Sequence, residues 1–225
     1  MRREEWTGRA VTPDEAVALI GSGMRVFVHG AAATPTPLLH ALADRTDLES
    51  VRLYHLHLEG PCRFAEPEHA GRFRSVSLFT GPALRAPVEE GRADFLPVFL
   101  SDIPGLFRSG RIPLDVALIQ VSPPDAHGLC TLGTSVDATK AAADSARIVI
   151  AEVNERMPRT HGYTAVRLSD FAAFIHTDRP LYEHPPAPET AVEAQIGDTI
   201  AGLVDDGATL QMGIGTIPDA VMNRL

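Results

Sequence analysis

Apolar residues in this chain fall into short continuous runs that are separated by turn residues and helical patterns. The clearest run, LDVALIQVS at 114–122, is bounded by the proline-containing stretch SPPDAHG. Continuous apolar runs are typical of strands that are buried on both faces of a parallel sheet. The pattern therefore predicts an interior strand at 114–122. Further strands are predicted at 24–30, 51–60, 73–81, 93–102 and 147–153.

Helical patterns lie between these runs. Residues 12–23 begin with a capping box, in which Thr12 caps the helix and Glu15 stands three positions later. Other helices are predicted at 34–45, 103–110, 136–146 and 189–207. Strands that alternate with helices predict an α/β fold, with an open, mostly parallel sheet and flanking helices.

Two distant parts of the chain resemble each other. EAVALIGSGMRVFVHGAAATPTPLLHAL near the start and DTIAGLVDDGATLQMGIGTIPDAVMNRL at the end both predict a helix, a glycine stop, a strand, a small-residue turn and a helix entered through proline. Any two such units of an α/β protein can look alike, but a duplicated architecture is the preferred interpretation. A proline-rich stretch lies between them. We predict a first domain at 1–184, a linker at 185–188, and the truncated start of a second similar domain at 189–225.

Composition narrows the possible partners. The 225 residues include 20 Lys and Arg against 29 Asp and Glu, a net charge of −9, which argues against duplex nucleic acid or an anionic membrane as a partner. No apolar run approaches the roughly 20 residues that span a bilayer, and the N-terminal residues lack the apolar core of a secretory signal. With only two cysteines, Cys62 and Cys130, these features predict a cytoplasmic protein.

The segment GIGTIPDAV near the end of the chain has the features of an anion-binding turn. Gly213 and Gly215 let the backbone approach a ligand without an intervening Cβ. Pro218 is predicted at the first helical position, with Ile217 extended before it. The amides of Gly215, Thr216 and Ile217 are then expected at the positive end of the helix dipole, where an anion is stabilised. The motif is weak by itself, and it is neither a P-loop nor a complete GxGxxG.

Two longer segments carry a family resemblance. IQVSPPDAHGLCTLGTSVDATKAAADSARIVIAEVNERMPRTHG and LVDDGATLQMGIGTIPDAV closely resemble the acetyl-CoA hydrolase/transferase family, the class I CoA-transferases of the 4-hydroxybutyrate and succinate:acetate type. The resemblance covers essentially the whole chain, which corresponds to about half of a typical fused member. It implies a CoA-transferase-like α/β half, followed by the start of a second such half.

The resemblance also implies a reaction and a CoA site. CoA passes from an acyl-CoA to a small carboxylic acid through a glutamyl-CoA thioester, or water replaces the acid in the hydrolases. The family's CoA-binding loop corresponds to Gly213, Ile214, Gly215, Thr216 and Ile217, and the Ile217 amide is expected to serve the oxyanion. The family's catalytic glutamate lies downstream of that loop. No residue of this chain corresponds to it, so the chain alone is expected to be inactive.

Other site residues are expected in the first half. By the repeat, the turn Gly30, Ala31 and Ala32 is the counterpart of the CoA loop, and in the family it borders the acyl side of the active site. Asn154 is a candidate substrate-side residue, and it is also expected to organise a strand end. Arg159 is predicted to contact a substrate carboxylate or to form a structural salt bridge.

Some reactive residue types are expected to be structural. Glu152, which follows a buried strand, is expected to hydrogen-bond at the strand end rather than act as the nucleophile. No metal is expected, because His55, His57 and nearby His69 lack a four-ligand pattern, and a histidine pair lining a cleft is the ordinary alternative. Cys130 is expected to be a small buried thiol.

The expected partners are acyl-CoA, a small carboxylic acid, and the missing C-terminal half or a complementary subunit, with a homo-oligomer when complete. Two other functions stay open. One is a non-catalytic module that binds CoA or a subunit through 213–217. The other is a sugar-phosphate isomerase of related fold, for which the only lysine, Lys140, lies in a predicted helix.

Overall fold

The computed structural model describes residues 3–183, 185 and 187–225. The chain divides into two compact units, Met1–Tyr182 and Glu183–Leu225. The predicted domain end at residue 184 and residue 186 of the predicted linker lie outside the described residues. Within the described part, no helix has both the length and the apolar character needed to cross a membrane.

The larger unit is built on a parallel sheet. Its strands, with those of a small second sheet, are β1 (Arg25–Val28), β2 (Val51–His55), β3 (Phe73–Ser77), β4 (Asp94–Phe95), β5 (Val116–Val121), β6 (Leu129–Thr131), β7 (Ile148–Asn154), β8 (Ala165–Arg167) and β9 (Ala173–Thr177). The seven-stranded sheet has the order β4-β3-β2-β1-β5-β7-β9, and all its neighbouring strands are parallel. Strands β6 and β8 form a separate antiparallel pair. The predicted open parallel sheet is confirmed.

In the part of the chain that the structure describes, six α-helices belong to the larger unit with this sheet, and two further α-helices form the smaller unit. The larger unit contains α1 (Arg3–Thr7), α2 (Pro13–Val17), α3 (Thr36–Asp44), α4 (Pro82–Glu89), α5 (Ile103–Arg108) and α6 (Thr139–Ser145), and the smaller unit contains α7 (Ala191–Ala201) and α8 (Thr216–Met222). The predicted capping box of α2 is present, because the Thr12 side chain accepts from the Glu15 amide and the Glu15 carboxylate accepts from the Thr12 amide. Helix α7 begins with the same motif at Thr190 and Glu193.

Strand β5 confirms the prediction of an interior strand. It pairs with β1 on one side and with β7 on the other, and all six of its residues are buried. Val116 and Leu118 belong to one apolar cluster, and Ala117 and Ile119 belong to another. Both faces of the strand are therefore covered, which explains why its sequence is apolar throughout rather than alternating.

Several elements differ from the predictions in the larger unit. The strand predicted at 93–102 is only two residues long, because β4 lies at the sheet edge and pairs with β3 alone. Helix α4 and strands β6, β8 and β9 were not predicted. Helix α4 carries an internal proline, Pro87, which obscures the helical signal. Phe171 and Phe174 are buried.

The structure of the smaller unit differs from the one that the sequence repeat predicts. No strand forms between α7 and α8, although one was predicted around Leu210. The described part of this unit contains no other strand, so a single extended segment has no partner for its backbone hydrogen bonds. Pro218 occupies the third helical position of α8 rather than the first, and Ile217 is helical rather than extended.

Candidate functional site

The strand order of the large sheet reverses at β1. Strands β2, β3 and β4 lie on one side of β1, and β5, β7 and β9 lie on the other. In open parallel α/β sheets, ligands bind in the crevice outside the carboxyl ends of the strands at such a switch point. The turn at residues 30–34, which follows β1, lies at this point. It contains the substrate-side residues predicted from the sequence.

The backbone of this turn packs closely against the segment that follows β2. The Ala31 amide donates to the His57 carbonyl at 2.7 Å, and Ala31 forms an isolated parallel bridge with Leu58. A Cβ on Gly30 would stand 2.6 Å from the His57 carbonyl oxygen, so the close approach requires glycine. Ala31 has a φ of 51°, in the left-handed region that is costly for a residue with a Cβ. Ala32, which is partly exposed, continues the turn.

His29 joins three segments at the switch point. Its side chain is fully buried, its Nδ1 atom accepts from the Gln120 amide at 3.2 Å, and its Nε2 atom contacts the Ser135 carbonyl. These partners place the ring proton on Nε2, which donates to Ser135. Burial lowers the His29 pKa and outweighs the attraction of Asp137. The neutral ring therefore links the ends of β1 and β5 to the loop before α6.

Two buried amide side chains extend the network. Gln120 donates through Nε2 to the Thr34 carbonyl at 3.2 Å and accepts through Oε1 from Asn154 Nδ2 at 2.9 Å. Asn154 Oδ1 accepts the amides of Arg156 and Arg179, and its Nδ2 also donates to the Arg179 carbonyl. These partners fix both amide orientations. Asn154 thus organises the end of β7, as predicted.

A buried ion pair completes the network. Glu152 is fully buried, and its carboxylate accepts from Thr177 Oγ1 at 2.7 Å and from Arg179 Nε and Nη2 at 2.6 and 2.9 Å. Arg179 Nη2 also donates to the Thr34 carbonyl at 2.8 Å. With three donors, Glu152 stabilises the strand ends, which is the role expected from the sequence.

Arg159 lies in a different set of contacts. Its guanidinium donates to Asp125 Oδ2 and to the Leu129 carbonyl, each at 2.8 Å. The structural salt bridge, one of the two roles expected for Arg159, is therefore present. A contact of Arg159 with a substrate carboxylate stays a prediction.

The predicted CoA loop lies in the smaller unit. Gly215 caps α8 with a φ of 132°, and Thr216 and Ile217 are the first two helical residues. Their amides belong to the first turn, in which a helix leaves its N–H groups without intrahelical partners. The Ile214 side chain is fully exposed. The Thr216 hydroxyl hydrogen-bonds Glu193 and lowers the pKa of that carboxyl.

Comparison with known proteins identifies the family. Residues 1–178 match the acetyl-CoA hydrolase/transferase N-terminal domain, and the match falls entirely within the larger unit. The chain belongs to this family. Its CoA-transferase-like fold, predicted from the sequence, is confirmed.

Relatives and solved structures of this CoA-transferase family extend over most of the chain. The succinyl-CoA:acetate/propanoyl-CoA:succinate CoA transferase of Fasciola hepatica is 47% identical over 216 residues, which cover 94% of this chain and 45% of that protein. The 4-hydroxybutyrate coenzyme A transferase of Clostridium kluyveri is 42% identical over 220 residues, covering 97% and 51%. The crystal structure of RipA from Yersinia pestis has a TM-score of 0.89 at 33% identity, covering 98% and 54%. The chain thus spans about half the length of these relatives.

The histidines of the family domain do not form the cleft-lining pair that was considered. Strand β2 ends at His55, so His57 does not share a strand face with it. His55 is buried, donates through Nδ1 to the Leu56 carbonyl and accepts through Nε2 from Ser75, and burial lowers its pKa to about 4. His57 instead packs edge-on against Phe79.

The described part of the larger unit contains one candidate metal group and one buried thiol. Among the described residues, the group with metal-ligand spacing is Glu66, Glu68 and His69, and it includes neither His55 nor His57. Cys130 is fully buried, and burial raises its pKa to about 12, so it is the buried thiol that was expected.

Sequence reasoning missed several members of the network, among them Gln120, Thr34 and Arg179. A signal for Gln120 was available, because a polar residue inside the continuous apolar run of β5 must find a buried partner. Arg179 gave no comparable signal. It follows β9, a strand that was not predicted, and its partners come from β7 and from the turn after β1.

Proposed function

We propose that this chain forms the N-terminal part of an acyl-CoA:carboxylate CoA-transferase of the 4-hydroxybutyrate/acetate type. The observation that carries the proposal is the 47% identity to the Fasciola hepatica CoA transferase across 94% of the chain. The Clostridium kluyveri relative, named for 4-hydroxybutyrate, supports the acceptor class. The buried network at the switch point supplies the rigid site that acyl transfer needs.

The two units have different roles in this proposal. In the larger unit, Gly30, Ala31 and Ala32 border the acyl group, with Asn154 holding the adjacent strand end and Arg159 contributing charge. In the smaller unit, residues 213–217 bind CoA, and the Ile217 amide donates to the oxyanion. Loss of one such donor typically costs about 10²–10³ in rate.

The proposed nucleophile is a glutamate in a second half, which a continuation of the chain or a complementary subunit supplies. Its carboxylate attacks the thioester carbonyl and releases CoA thiolate, giving an acyl-glutamyl anhydride. The thiolate attacks the glutamyl carbonyl and releases the acyl group as a carboxylate, giving a glutamyl-CoA thioester. The acceptor carboxylate attacks this thioester, and returning CoA thiolate then forms the new acyl-CoA and frees the glutamate. Each addition places negative charge on a carbonyl oxygen.

The domain arrangement and setting belong to the same proposal. Residues 1–184 form the N-terminal domain, 185–188 the linker and 189–225 the start of the second domain. The complete enzyme uses acyl-CoA and a small carboxylic acid without a metal, and it works in the cytoplasm as a homo-oligomer.

A chimaera tests this function. Residues 1–225 are fused to the C-terminal half of the Clostridium kluyveri relative and assayed with acetyl-CoA and 4-hydroxybutyrate. We expect 4-hydroxybutyryl-CoA to form with the chimaera and not with the 225-residue chain alone. A folded chimaera that binds CoA in calorimetry but transfers nothing contradicts the proposal and favours a non-catalytic CoA-binding module.

A hydrolase is the second candidate, because the matching family is described as hydrolase/transferase. In a hydrolase, water attacks the enzyme-bound acyl group. Free CoA then appears from acetyl-CoA at a rate that does not depend on the acid. In the transferase, product formation rises with acid concentration and free CoA does not accumulate. The same chimaera assayed with and without 4-hydroxybutyrate separates the two.

A further inference from the structure

The Thr34 carbonyl is an unusual point in the switch-point turn. Thr34 is almost fully buried, and its carbonyl oxygen accepts from Gln120 Nε2 at 3.2 Å, Arg179 Nη2 at 2.8 Å and the Thr36 amide at 2.9 Å. A carbonyl oxygen has two lone pairs, so three converging donors, one of them cationic, fix its position firmly. The carbonyl thereby anchors the carboxyl-terminal end of the 30–34 turn.

The opposite side of the same turn is held by the segment after β2. The Thr34 hydroxyl donates to the Ala31 carbonyl at 2.8 Å and accepts the Glu59 amide at 3.1 Å. Hydrogen bonds thus hold the turn from two directions: from the segment after β2, and from Gln120 of β5 and Arg179 after β9. On the second side a charged group, the Arg179 guanidinium, reaches the turn.

Arg179 reaches the turn from the far edge of the sheet. It follows β9, and β7 and β5 lie between β9 and β1. The bidentate ion pair with buried Glu152 orients the guanidinium. The Tyr182 ring centroid lies 5.9 Å from the guanidinium carbon. Asn154 holds the Arg179 backbone through both its amide and its carbonyl. The position of the side chain is therefore set by contacts that are independent of the Thr34 bond.

From these contacts we infer that Arg179 is a positioning residue: anchored on Glu152, it holds the Thr34 carbonyl and so fixes the substrate-side turn at 30–34. The substrate-side role of the turn rests on the proposed function. The mechanical role of Arg179 does not, because it follows from the hydrogen bonds alone. Arginine is required, since only its fork pairs with both carboxylate oxygens and still has an N–H directed at a third acceptor.

The substitution Arg179→Lys tests this inference. It keeps the positive charge beside Glu152, and the Asn154 contacts keep the backbone in place, but the bond to Thr34 is lost. In hydrogen exchange measured by mass spectrometry, we expect amides at 29–36 to exchange about tenfold faster, while amides at 116–121 stay unchanged. The matched control is Arg156→Lys, which alters an exposed ion pair with Asp178 and is expected to change neither segment.

The exchange pattern separates positioning from general stability. Faster exchange confined to 29–36 supports the inference. Equal acceleration of both segments, or none in either, overturns it, because Arg179 is then a general stabilising residue or has no effect on the turn.

Kinetics of the chimaera test the substrate side. With Arg179→Lys, we expect the KM for acyl-CoA to rise about tenfold with kcat changed less than about twofold, as for lost uniform binding. Local loosening of the turn with an unchanged KM contradicts the role of the turn in substrate binding. A chimaera that lacks all transferase activity contradicts the proposed function instead, and the exchange result still decides the role of Arg179.

Discussion

Two glycine-containing turns that look alike in sequence have different structures. The turn at 30–34 follows β1, which is paired on both sides, and Thr34 within it is 1% exposed. The loop at 213–217 follows no strand, and Ile214 within it is completely exposed. The first turn is held by side chains from several strand ends. In the second, the described hydrogen bonds come from α8 itself and from Glu193 of α7.

The difference shows that a strand–turn–helix sequence specifies a strand only where neighbouring strands are present. Segment 24–30 lies between two partners, so its backbone groups are paired and the turn that follows is fixed. Segment 208–212 has a similar apolar pattern without a partner, and it stays irregular. The stability of the large unit and its turn is therefore expected to depend on different residues from that of the small unit.

The largest effect is expected for Glu152→Gln. The substitution removes the counterion of Arg179 at a fully buried position, and breaking a buried pair in this way costs about 3–5 kcal/mol. Urea unfolding followed by fluorescence of the single tryptophan, Trp6, which is buried in the larger unit, measures the cost. The control Arg156→Ala removes an exposed pair and is expected to cost less than about 1 kcal/mol. Equal costs for the two substitutions would show that the buried pair has no special role.

Acidification from pH 6.5 towards 4 is expected to destabilise the larger unit. Burial lowers the pKa of His29 and of His55, the latter to about 4, so the unfolded chain binds more protons than the folded one below the usual value near 6.5. Stability is therefore fully present above about pH 6.5 and is lost as the pH falls towards 4. The loss attributable to His55 is about 3 kcal/mol.

The pH dependence of Trp6-monitored unfolding checks this expectation. His55→Gln is expected to flatten the decline between pH 6.5 and 4, whereas His161→Gln, at an exposed position, leaves it unchanged. An identical pH profile for the His55 variant and the parent would refute the assignment. No histidine lies in the described part of the smaller unit, so its helical signal is not expected to follow this titration.

Glycine-to-alanine substitutions compare the two turns directly. Gly30→Ala places a Cβ 2.6 Å from the His57 carbonyl, and such overpacking costs about 1–3 kcal/mol. Gly213→Ala places its Cβ 3.4 Å from Pro218 Cγ, a tight but adjustable contact, so we expect no measurable loss of helicity by circular dichroism. If Gly30→Ala were tolerated and Gly213→Ala were disruptive, the turn at 30–34 would not be the more tightly packed of the two.

The smallest effect is expected from removing the ion pairs that Arg224 forms with Glu189 and Asp198. Arg224 donates to both carboxylate oxygens of Glu189, at 2.9 and 3.0 Å, and to Asp198. These charges are solvent-screened, so Arg224→Gln is expected to speed amide exchange only within 216–222, and added salt acts in the same direction. Unfolding of the larger unit, followed by Trp6, is the control. A shift of that transition would show that the Arg224 ion pairs also stabilise the larger unit.

Local signals in the sequence were sufficient for much of the fold. Capping at Thr12 and the apolar run that became β5 each depend on residues close in sequence, and both predictions were correct. The predictions failed where tertiary partners decide the outcome. Edge strand β4 is shorter than its apolar pattern indicates, and the segment around Leu210 forms no strand.

The candidate site was only partly predictable for the same reason. The turn at 30–34 and Asn154 follow recognisable strands, so the sequence pointed to both. Gln120 and Arg179 acquire their roles only when β5, β7 and β9 are placed side by side, and Thr34 is held through its backbone carbonyl. A backbone carbonyl carries no side-chain signal, so no pattern along the chain marks it.

We propose that this chain supplies the substrate-side turn and the CoA loop, and that the nucleophilic glutamate lies in the second half. The most direct test of this central claim is peptide mapping by mass spectrometry after incubation with acetyl-CoA and reduction with borohydride, for the 225-residue chain and for the chimaera. We predict an unmodified chain, and in the chimaera a reduced glutamate confined to the added half. A covalent modification on any residue within 1–225 would contradict the claim.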